Sequence, residues 1–259
     1  MRKTGIIGTV LVLVVLAGSL YAQRGFRRNN FGPTPGTPPE GPAAEWTFAR
    51  LAYDGLEGNG PLWDVDYPGA EYHFSRAVKR LTRIDPHETG YVISPDYDDM
   101  FDYPWLYAVE PWSWSFTADQ AARLREYLLR GGFLMVDDFH GEYEWQSFMS
   151  GLRRIFPDRP VEDIPAMEAL YQMPFPLTER LQVPGPRYMW TGLTYERTDG
   201  DVPHWRGVRD DEGRWMVVAS HNIDYGEGWE QADSPEYPEP FTRQAYEVGI
   251  NYLIYSLTH

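Results

Sequence analysis

The sequence predicts an α/β fold built on a mostly parallel sheet with helices on both faces. Short apolar runs without polar alternation, at residues 133–136 and 215–219, are typical of strands covered on both faces. Between such runs lie segments whose apolar residues recur three and four positions apart, which predicts helices. Strands that alternate with helices favour parallel pairing and right-handed crossovers.

The first predicted element is a strand over residues 45–53, which are rich in aromatic and β-favouring side chains and end at Asp54-Gly55. Residues 70–83 follow as a helix, because their apolar side chains share one face. Two short apolar runs, 91–94 and 105–109, predict the next strands, and Pro95 ends the first of them.

A capping box predicts the start of the next helix, because Thr117 and Gln120 have the spacing that satisfies its first free amides. This helix extends to residue 130, and Gly131 suits the left-handed residue that follows a last turn. A strand over 133–136 comes next, and then a helix over 142–156 that Pro157 ends.

Residues 158–214 are rich in proline and glycine and give no secure periodicity. Within them, 181–183 and 188–191 are possible strands. The sequence then predicts a buried strand over 215–219 and a closing helix over 241–257.

The amino terminus has the layout of a signal peptide over residues 1–22. Arg2 and Lys3 precede an uncharged apolar run, and Ala22 offers a small residue for cleavage. The alternative is an uncleaved anchor, since the run is about long enough to span a bilayer. Residues 23–44, rich in Pro, Gly and Arg, predict a disordered tether, and 45–259 a single α/β domain. We therefore expect an exported protein, periplasmic or extracellular, whose membrane contact is limited to its N-terminal segment.

Composition excludes several chemistries. The chain has no cysteine, so disulfides, a thiolate nucleophile and zinc sites built on sulfur are all excluded. Its net charge of −15 repels phosphate backbones, which argues against nucleic acid as a partner. Serine hydrolysis has little support, because no Gly-x-Ser-x-Gly turn is present.

The candidate catalytic residues are Asp137, Asp138 and His140, which follow the strand over 133–136. Open α/β sheets place ligands at the carboxyl ends of their strands. One carboxylate and His140 could bind a divalent cation or share a proton. The alternative is that Asp137 or Asp138 caps the following helix. Side chains alternate along a strand, so only a turn could bring both carboxylates to one ligand.

Polar residues also follow the strand over 215–219, namely His221, Asn222 and Asp224. Asp138, His140 and His221 would make a mixed nitrogen and oxygen metal set. Their spacing is not a recognised ligand signature, so no cofactor is predicted beyond a possible divalent metal there.

Residues 225–230 predict a glycine-hinged loop over the same edge, which adds Glu227 and Trp229 as candidate ligand-binding residues. The alternative is a tight turn with a packed tryptophan. Tryptophans beside acids, Trp112 and Trp145 among them, could stack on sugar rings, although cores and interfaces are the commoner use of tryptophan.

Several segments resemble the bacterial envelope family known as domain of unknown function 4159. They are Trp46-Thr47-Phe48-Ala49-Arg50-Leu51, Leu124-Arg125-Glu126-Tyr127-Leu128, the run from Gly131 to Asp138, Arg154-Ile155-Phe156-Pro157, the run from Tyr225 to Glu230, and the run from Gly249 to Tyr255. Together they cover essentially all of residues 45–259. The resemblance implies a flavodoxin-like fold related to class I glutamine amidotransferases, and it brings no established activity.

The resemblance also raises a chemical question. In the amidotransferase fold a cysteine nucleophile occupies the turn after a buried strand, and the strand of similar context here leads to Asp137-Asp138. Where the closer family leads us to expect Gly-His-Gly, this chain has Glu110-Pro111-Trp112. Glu110 and Trp112 are therefore candidate ligand-binding residues, and the departure argues against carrying over a catalytic histidine.

Three hypotheses remain open, and the first is favoured. It is an exported envelope protein that lacks thiol chemistry and binds an envelope protein or a small-molecule or glycan ligand at the carboxyl ends of the strands. The second is a hydrolase acting on an envelope glycan or ester through Asp138 or His140, with or without a metal. The third is a carbohydrate-binding module that uses its tryptophans.

Overall fold

The computed structural model describes residues 34–41, 43–58 and 60–259. The predicted signal segment, 1–22, and residues 23–33 of the predicted tether lie outside these residues. Where the tether is described it contacts the domain, since the Gly36 amide donates to the Val92 carbonyl at 2.9 Å. Within the described ranges, no helix is both long enough and apolar enough to cross a bilayer.

The described chain forms one seven-stranded sheet and one two-stranded sheet. The larger sheet contains β1 (Ala49–Leu51), β3 (Tyr91–Ile93), β4 (Trp105–Val109), β6 (Phe133–Asp137), β7 (Glu162–Asp163), β8 (His204–Arg209) and β9 (Trp215–His221). The smaller one pairs β2 (Asp54–Gly55) with β5 (Trp114–Ser115) in antiparallel fashion. The order across the larger sheet is β3-β1-β4-β6-β9-β8-β7.

Pairing is parallel from β3 through β9, so the carboxyl ends of these five strands lie at one edge. β8 pairs antiparallel with both β9 and β7. The predicted α/β class and mostly parallel sheet are therefore confirmed, and an antiparallel extension at one side was not predicted from the sequence.

Six α-helices are described. They are α1 (Gly69–Leu81), α2 (Ala118–Leu129), α3 (Gly141–Ile155), α4 (Tyr188–Thr191), α5 (Tyr225–Glu230) and α6 (Glu239–Thr258). The predicted capping box starts α2, where the Gln120 amide donates to the Thr117 hydroxyl and the Thr117 amide to the Gln120 side chain. Gly131 follows α2 with a φ of 112°, a conformation that favours glycine.

Helices cover both faces of the sheet. One apolar cluster joins α1, α5 and α6 to the side chains of Trp105, Tyr107 and Met135. A second joins α2 and α3 to Leu106, Ala108 and other residues of the opposite face. Because the central strands β4 and β6 are buried on both sides, they read as continuous apolar runs.

The strand predicted over 215–219 is confirmed as β9, but three predictions on either side of it were wrong. Residues 181–183 form no strand, because their backbone bonds elsewhere: Leu181 exchanges hydrogen bonds with the Gln244 side chain, and the Val183 carbonyl accepts the Asp224 amide. Residues 188–191 are helical, not extended. The predicted loop over 225–230 is helix α5, which Asp224 caps by accepting the Glu227 amide at 2.7 Å.

Candidate functional site

Three adjacent strands end in the same unusual backbone conformation. Glu110 follows β4 with a φ of 50°, Asp138 follows β6 with 55°, and Asn222 follows β9 with 64°. A left-handed backbone is uncommon outside glycine and is strained, and such residues concentrate at functional sites. The sharp turns bring polar side chains to the carboxyl edge of the sheet, which is the edge the sequence predicted for a ligand.

The two consecutive aspartates serve different purposes. Asp137 is the last residue of β6 and is fully buried. Its Oδ2 accepts the amides of Tyr225 at 2.8 Å and Gly226 at 3.3 Å, so it fixes the start of α5. Burial raises the pKa of Asp137 to about 7, although the Tyr107 hydroxyl lowers it, and the charge of Asp138 adds to the rise.

Asp138 faces His140 at the edge of the sheet. His140 Nε2 lies 3.1 Å from Asp138 Oδ1, and both side chains are almost completely buried. The His140 amide donates to the Glu144 carboxylate, which is itself ion-paired with Arg197. His140 Nδ1 is buried without a hydrogen-bond partner in the described part of the chain. Hydrogen bonds thus hold the His140 ring at Nε2 and the His140 backbone at its amide, and leave Nδ1 available to a ligand.

Charge controls the protonation of His140. Burial lowers the pKa of the imidazole, but the hydrogen bond and charge of Asp138, helped by Glu196 and Glu144, raise it by more, so the net shift is upward. An acidic partner within hydrogen-bond distance stabilises the imidazolium. The carboxylate therefore orients the ring and increases its proton affinity.

Glu110 is the third group of this cluster. Its carboxylate accepts a hydrogen bond from the Trp112 indole nitrogen. Burial raises the pKa of Glu110 well above its usual value, the charge of Asp138 raises it further, and the Trp112 hydrogen bond opposes both. We refer to Glu110, Asp138 and His140 as the rim site.

His221 and Asn222 support this site from within the fold. His221 Nε2 lies 3.0 Å from the Gly141 carbonyl, and Asn222 Oδ1 accepts the Gly141 amide at 2.8 Å. The His221 ring stacks against Phe139 and packs near Trp145. Burial lowers the pKa of His221 to about 4, so the ring is neutral at physiological pH.

These contacts also show what begins α3. Its amides are bonded to Asn222 and, at Glu142, to the Asp199 carboxylate at 3.0 Å. Neither Asp137 nor Asp138 caps α3, although Asp137 serves that purpose for α5. The groups that bond the first amides of α3 come from distant parts of the chain. The alternative that Asp137 or Asp138 caps the following helix is therefore wrong.

A second acidic cluster lies beside the rim site. Asp66, Asp224 and Glu227 each offer a carboxylate oxygen, and these oxygens all lie within 4.8 Å of one another. We call these three residues the acidic triad. Among the described residues they are the group with the spacing of a metal site, whereas the predicted set of Asp138, His140 and His221 is not brought together in this way.

The acidic triad is largely buried. Asp224 and Glu227 are buried, and Asp66 is half-buried with a φ of 60°. Burial raises the pKa of Asp224 well above its usual value, and the charges of Asp138, Asp66, Glu227 and Asp137 add to that rise.

Arg50 positions the loop that carries Asp66. This fully buried residue of β1 is ion-paired with Glu71, and its Nη1 donates to the Trp63 and Val65 carbonyls at 2.9 and 2.8 Å. Neither Arg50 nor Asp66 was predicted from the sequence as a site residue. A charged residue in the middle of a predicted buried strand was the available signal for Arg50.

The remaining predicted residues lie in different surroundings. Trp229 is fully buried and packs 4.6 Å from Phe74 between ring centroids, so it belongs to the core under α1. Trp112 is half-buried beside Glu110, and Ser147 donates to its carbonyl at 2.6 Å. The structure thus brings Glu110, Trp112, Asp138 and His140 together, and places Trp229 away from them.

Comparison with known proteins gives a family and no activity. No curated protein matches the chain. The model of the family described as "Domain of unknown function (DUF4159)" matches residues 47–257, which is nearly all of the described domain. The chain therefore belongs to the DUF4159 family.

Proposed function

We propose that this chain is an exported envelope protein whose amidotransferase-like domain binds a small polar ligand, or a polar group of a partner protein, at the rim site. Numbered along the chain, the five parallel strands have the order 2-1-3-4-5, which supports a flavodoxin-like fold. Such sheets bind ligands at the carboxyl edge near the point where the strand order reverses. Here that point lies between β1 and β4, next to Glu110.

The observation that carries this proposal is the buried Nδ1 of His140. A buried polar atom without a partner costs free energy, about 1–3 kcal/mol, and is therefore rare in native proteins unless something satisfies it. Asp138 holds the ring in place from its other nitrogen. A ligand donor or acceptor at Nδ1 would complete the hydrogen bonds of the imidazole.

The residue types support binding without thiol chemistry. Asp138 occupies a strained turn between a buried strand and a helix, where a nucleophile would be presented, and the chain has no cysteine. A carboxylate accepts hydrogen bonds and an imidazole can donate them, so the pair can bind hydroxyl, amide and amine groups. Small envelope components such as amino sugars and D-amino acids carry these groups.

The test is ligand-observed saturation-transfer NMR on the full domain. The probes are N-acetylglucosamine, D-alanine and muramyl dipeptide. We expect saturation transfer to at least one probe, and loss of that signal in Asp138→Asn and His140→Gln. Asp163→Asn, an exposed carboxylate on β7, is the matched control and should leave the signal unchanged. Binding that persists in both rim variants, or no transfer to any probe, would contradict the proposal.

Hydrolysis is the second candidate, and the electrostatic interaction of Glu110 with Asp138 favours it. Two neighbouring carboxyl groups whose environments differ can divide the roles of general acid and general base. Glu110 is the candidate acid because its pKa is raised by burial and by Asp138. Turnover of p-nitrophenyl acetate or a p-nitrophenyl glycoside that is lost in Glu110→Gln, with a bell-shaped pH profile, would support this activity. If the wild type turns over neither substrate, the hydrolase candidate is rejected.

Export is part of the proposal, and the basic residues and apolar run of segment 1–22 support it. We expect N-terminal sequencing of the protein from its native envelope to begin at Gln23. A sequence beginning at Met1 in the membrane fraction would favour the uncleaved anchor, and recovery from the cytoplasm would contradict export.

A further inference from the structure

We infer that the acidic triad is a binding site for a hard divalent cation, with Ca²⁺ as the ion that fits its present spacing. The three ligands come from separate parts of the chain: Asp66 precedes α1, Asp224 caps α5, and Glu227 lies within α5. The site is distinct from the rim site, and it does not include either histidine of the metal set predicted from sequence.

Distance and ligand type select the ion. The three oxygens lie within 4.8 Å of one another. Ca²⁺ binds oxygen at about 2.3–2.6 Å, so two oxygens on opposite sides of one ion lie about 4.6–5.2 Å apart. Mg²⁺ binds at about 2.0–2.1 Å, so its corresponding limit is about 4.0–4.2 Å, which is below the 4.8 Å limit of the triad. A set made only of carboxylates favours Ca²⁺, Mg²⁺ or Mn²⁺ over softer metals.

A second observation, independent of the carboxylates, points to a ligand. Tyr107 is fully buried, and its hydroxyl, which acts on the Asp137 carboxylate, makes no hydrogen bond of normal geometry with the described residues. It lies beside the triad. A Cβ atom built on Gly226 would lie 2.5 Å from this hydroxyl, 2.9 Å from Asp66 Oδ2 and 3.5 Å from Asp224 Oδ1. A cation, or a water molecule on it, would give the hydroxyl a partner.

Electrostatics supports the same inference. Asp224 and Glu227 are 1% exposed, and Asp137 and Asp138 add further negative charge near them. Burying like charges together is unfavourable unless a counter-charge or protons neutralise them. The buried cation Arg50 also acts on Asp66, but it is ion-paired with Glu71. A divalent ion at the triad would add positive charge beside these carboxylates.

The backbone around the triad is prepared for such an ion. Arg50 fixes the carbonyls of Trp63 and Val65, and so fixes the loop that leads to Asp66. The Glu227 amide bonds to Asp224 Oδ1, which orients that carboxylate. Ligands already held in position lose little conformational freedom when an ion binds.

The test is calorimetric titration of chelator-treated full chain with CaCl₂, MgCl₂ and MnCl₂ in separate runs. We expect one Ca²⁺ per chain and an increase in melting temperature when Ca²⁺ is added. Asp66→Asn should weaken Ca²⁺ binding by about 10–100-fold, since even outer-shell partners of a metal have effects of that size. Asparagine tolerates a left-handed backbone, so this variant should fold, and circular dichroism verifies that.

Two further variants make the outcome decisive. Asp99→Asn alters a similarly half-buried carboxylate, bonded to Tyr91, in the loop that follows β3, and should bind Ca²⁺ as the wild type does. Asp138→Asn should retain Ca²⁺ binding while it loses the rim-site ligand, which separates this inference from the proposed function. The inference is overturned if none of the three cations binds at millimolar concentration, if Asp66→Asn binds as tightly as the wild type, or if Asp138→Asn abolishes binding.

Discussion

Replacing His221 with glutamine should reduce the acid sensitivity of the protein. His221 is 5% exposed and its Nε2 faces the Gly141 carbonyl, so burial lowers its pKa to about 4. In the unfolded chain a histidine has a pKa of about 6.5. As pH falls below that value, the unfolded state binds a proton at this histidine and the folded state does not. The free energy of unfolding therefore decreases between about pH 6.5 and 4.

The size of this effect follows from the two pKa values. At pH 4.5 the difference in proton uptake amounts to about 2.5 kcal/mol of unfolding free energy, because one pKa unit corresponds to about 1.4 kcal/mol. Glutamine at position 221 can still donate to the Gly141 carbonyl but does not titrate. Asp137 has its raised pKa in both proteins, so its contribution cancels in the comparison.

The assay is urea denaturation of the wild type and His221→Gln at pH 7.5 and pH 4.5. We expect the wild type to lose about 2.5 kcal/mol more than the variant between the two pH values. His259→Gln, at the exposed C terminus, controls for removal of a histidine that is not buried. Equal losses in wild type and variant, or a His221 ring that titrates near pH 6.5 by NMR, would refute the reasoning.

Three further predictions concern stability and are checked by chemical denaturation. Arg50→Met leaves Glu71 as a buried unpaired carboxylate and should cost about 3–5 kcal/mol, whereas Arg50→Met with Glu71→Leu should cost less. Thr117→Ala removes the capping box of α2 and should cost about 1 kcal/mol, with an unchanged denaturant slope. Gly151→Ala places a methyl group against the Trp114 indole and should cost about 1–3 kcal/mol, while Ser150→Ala on the exposed side of α3 should have little effect.

Much of the fold was predictable because the central strands and helices carry their structural signals in their own local sequence. β4 and β6 are buried on both faces and read as apolar runs, and α2 carries its capping box in the sequence. The region of residues 158–214 was not predictable in this way. Leu181 bonds to the side chain of Gln244, a contact that spans 63 residues and leaves no local signal.

The candidate site was predictable in position and only partly in composition. Parallel strands end at one edge, so the polar residues after β6 and after β9 were expected at the same edge, where the Gly141 amide bonds to Asn222. Asp66 lies far from them in sequence, in a loop without periodicity, and comes to the edge because Arg50 holds that loop. No pattern along the chain records such a contact.

The sequence by itself determined the α/β class, the absence of thiol chemistry, the acidic surface and the edge of the sheet at which polar residues collect. These properties depend on composition and local periodicity. Only the tertiary structure decided where each side chain points. Strand alternation directs Asp137 to the amides of α5, and a left-handed turn directs Asp138 to His140. Backbone turns and contacts between distant segments set these directions, and the spacing of residues along the chain does not predict either of them.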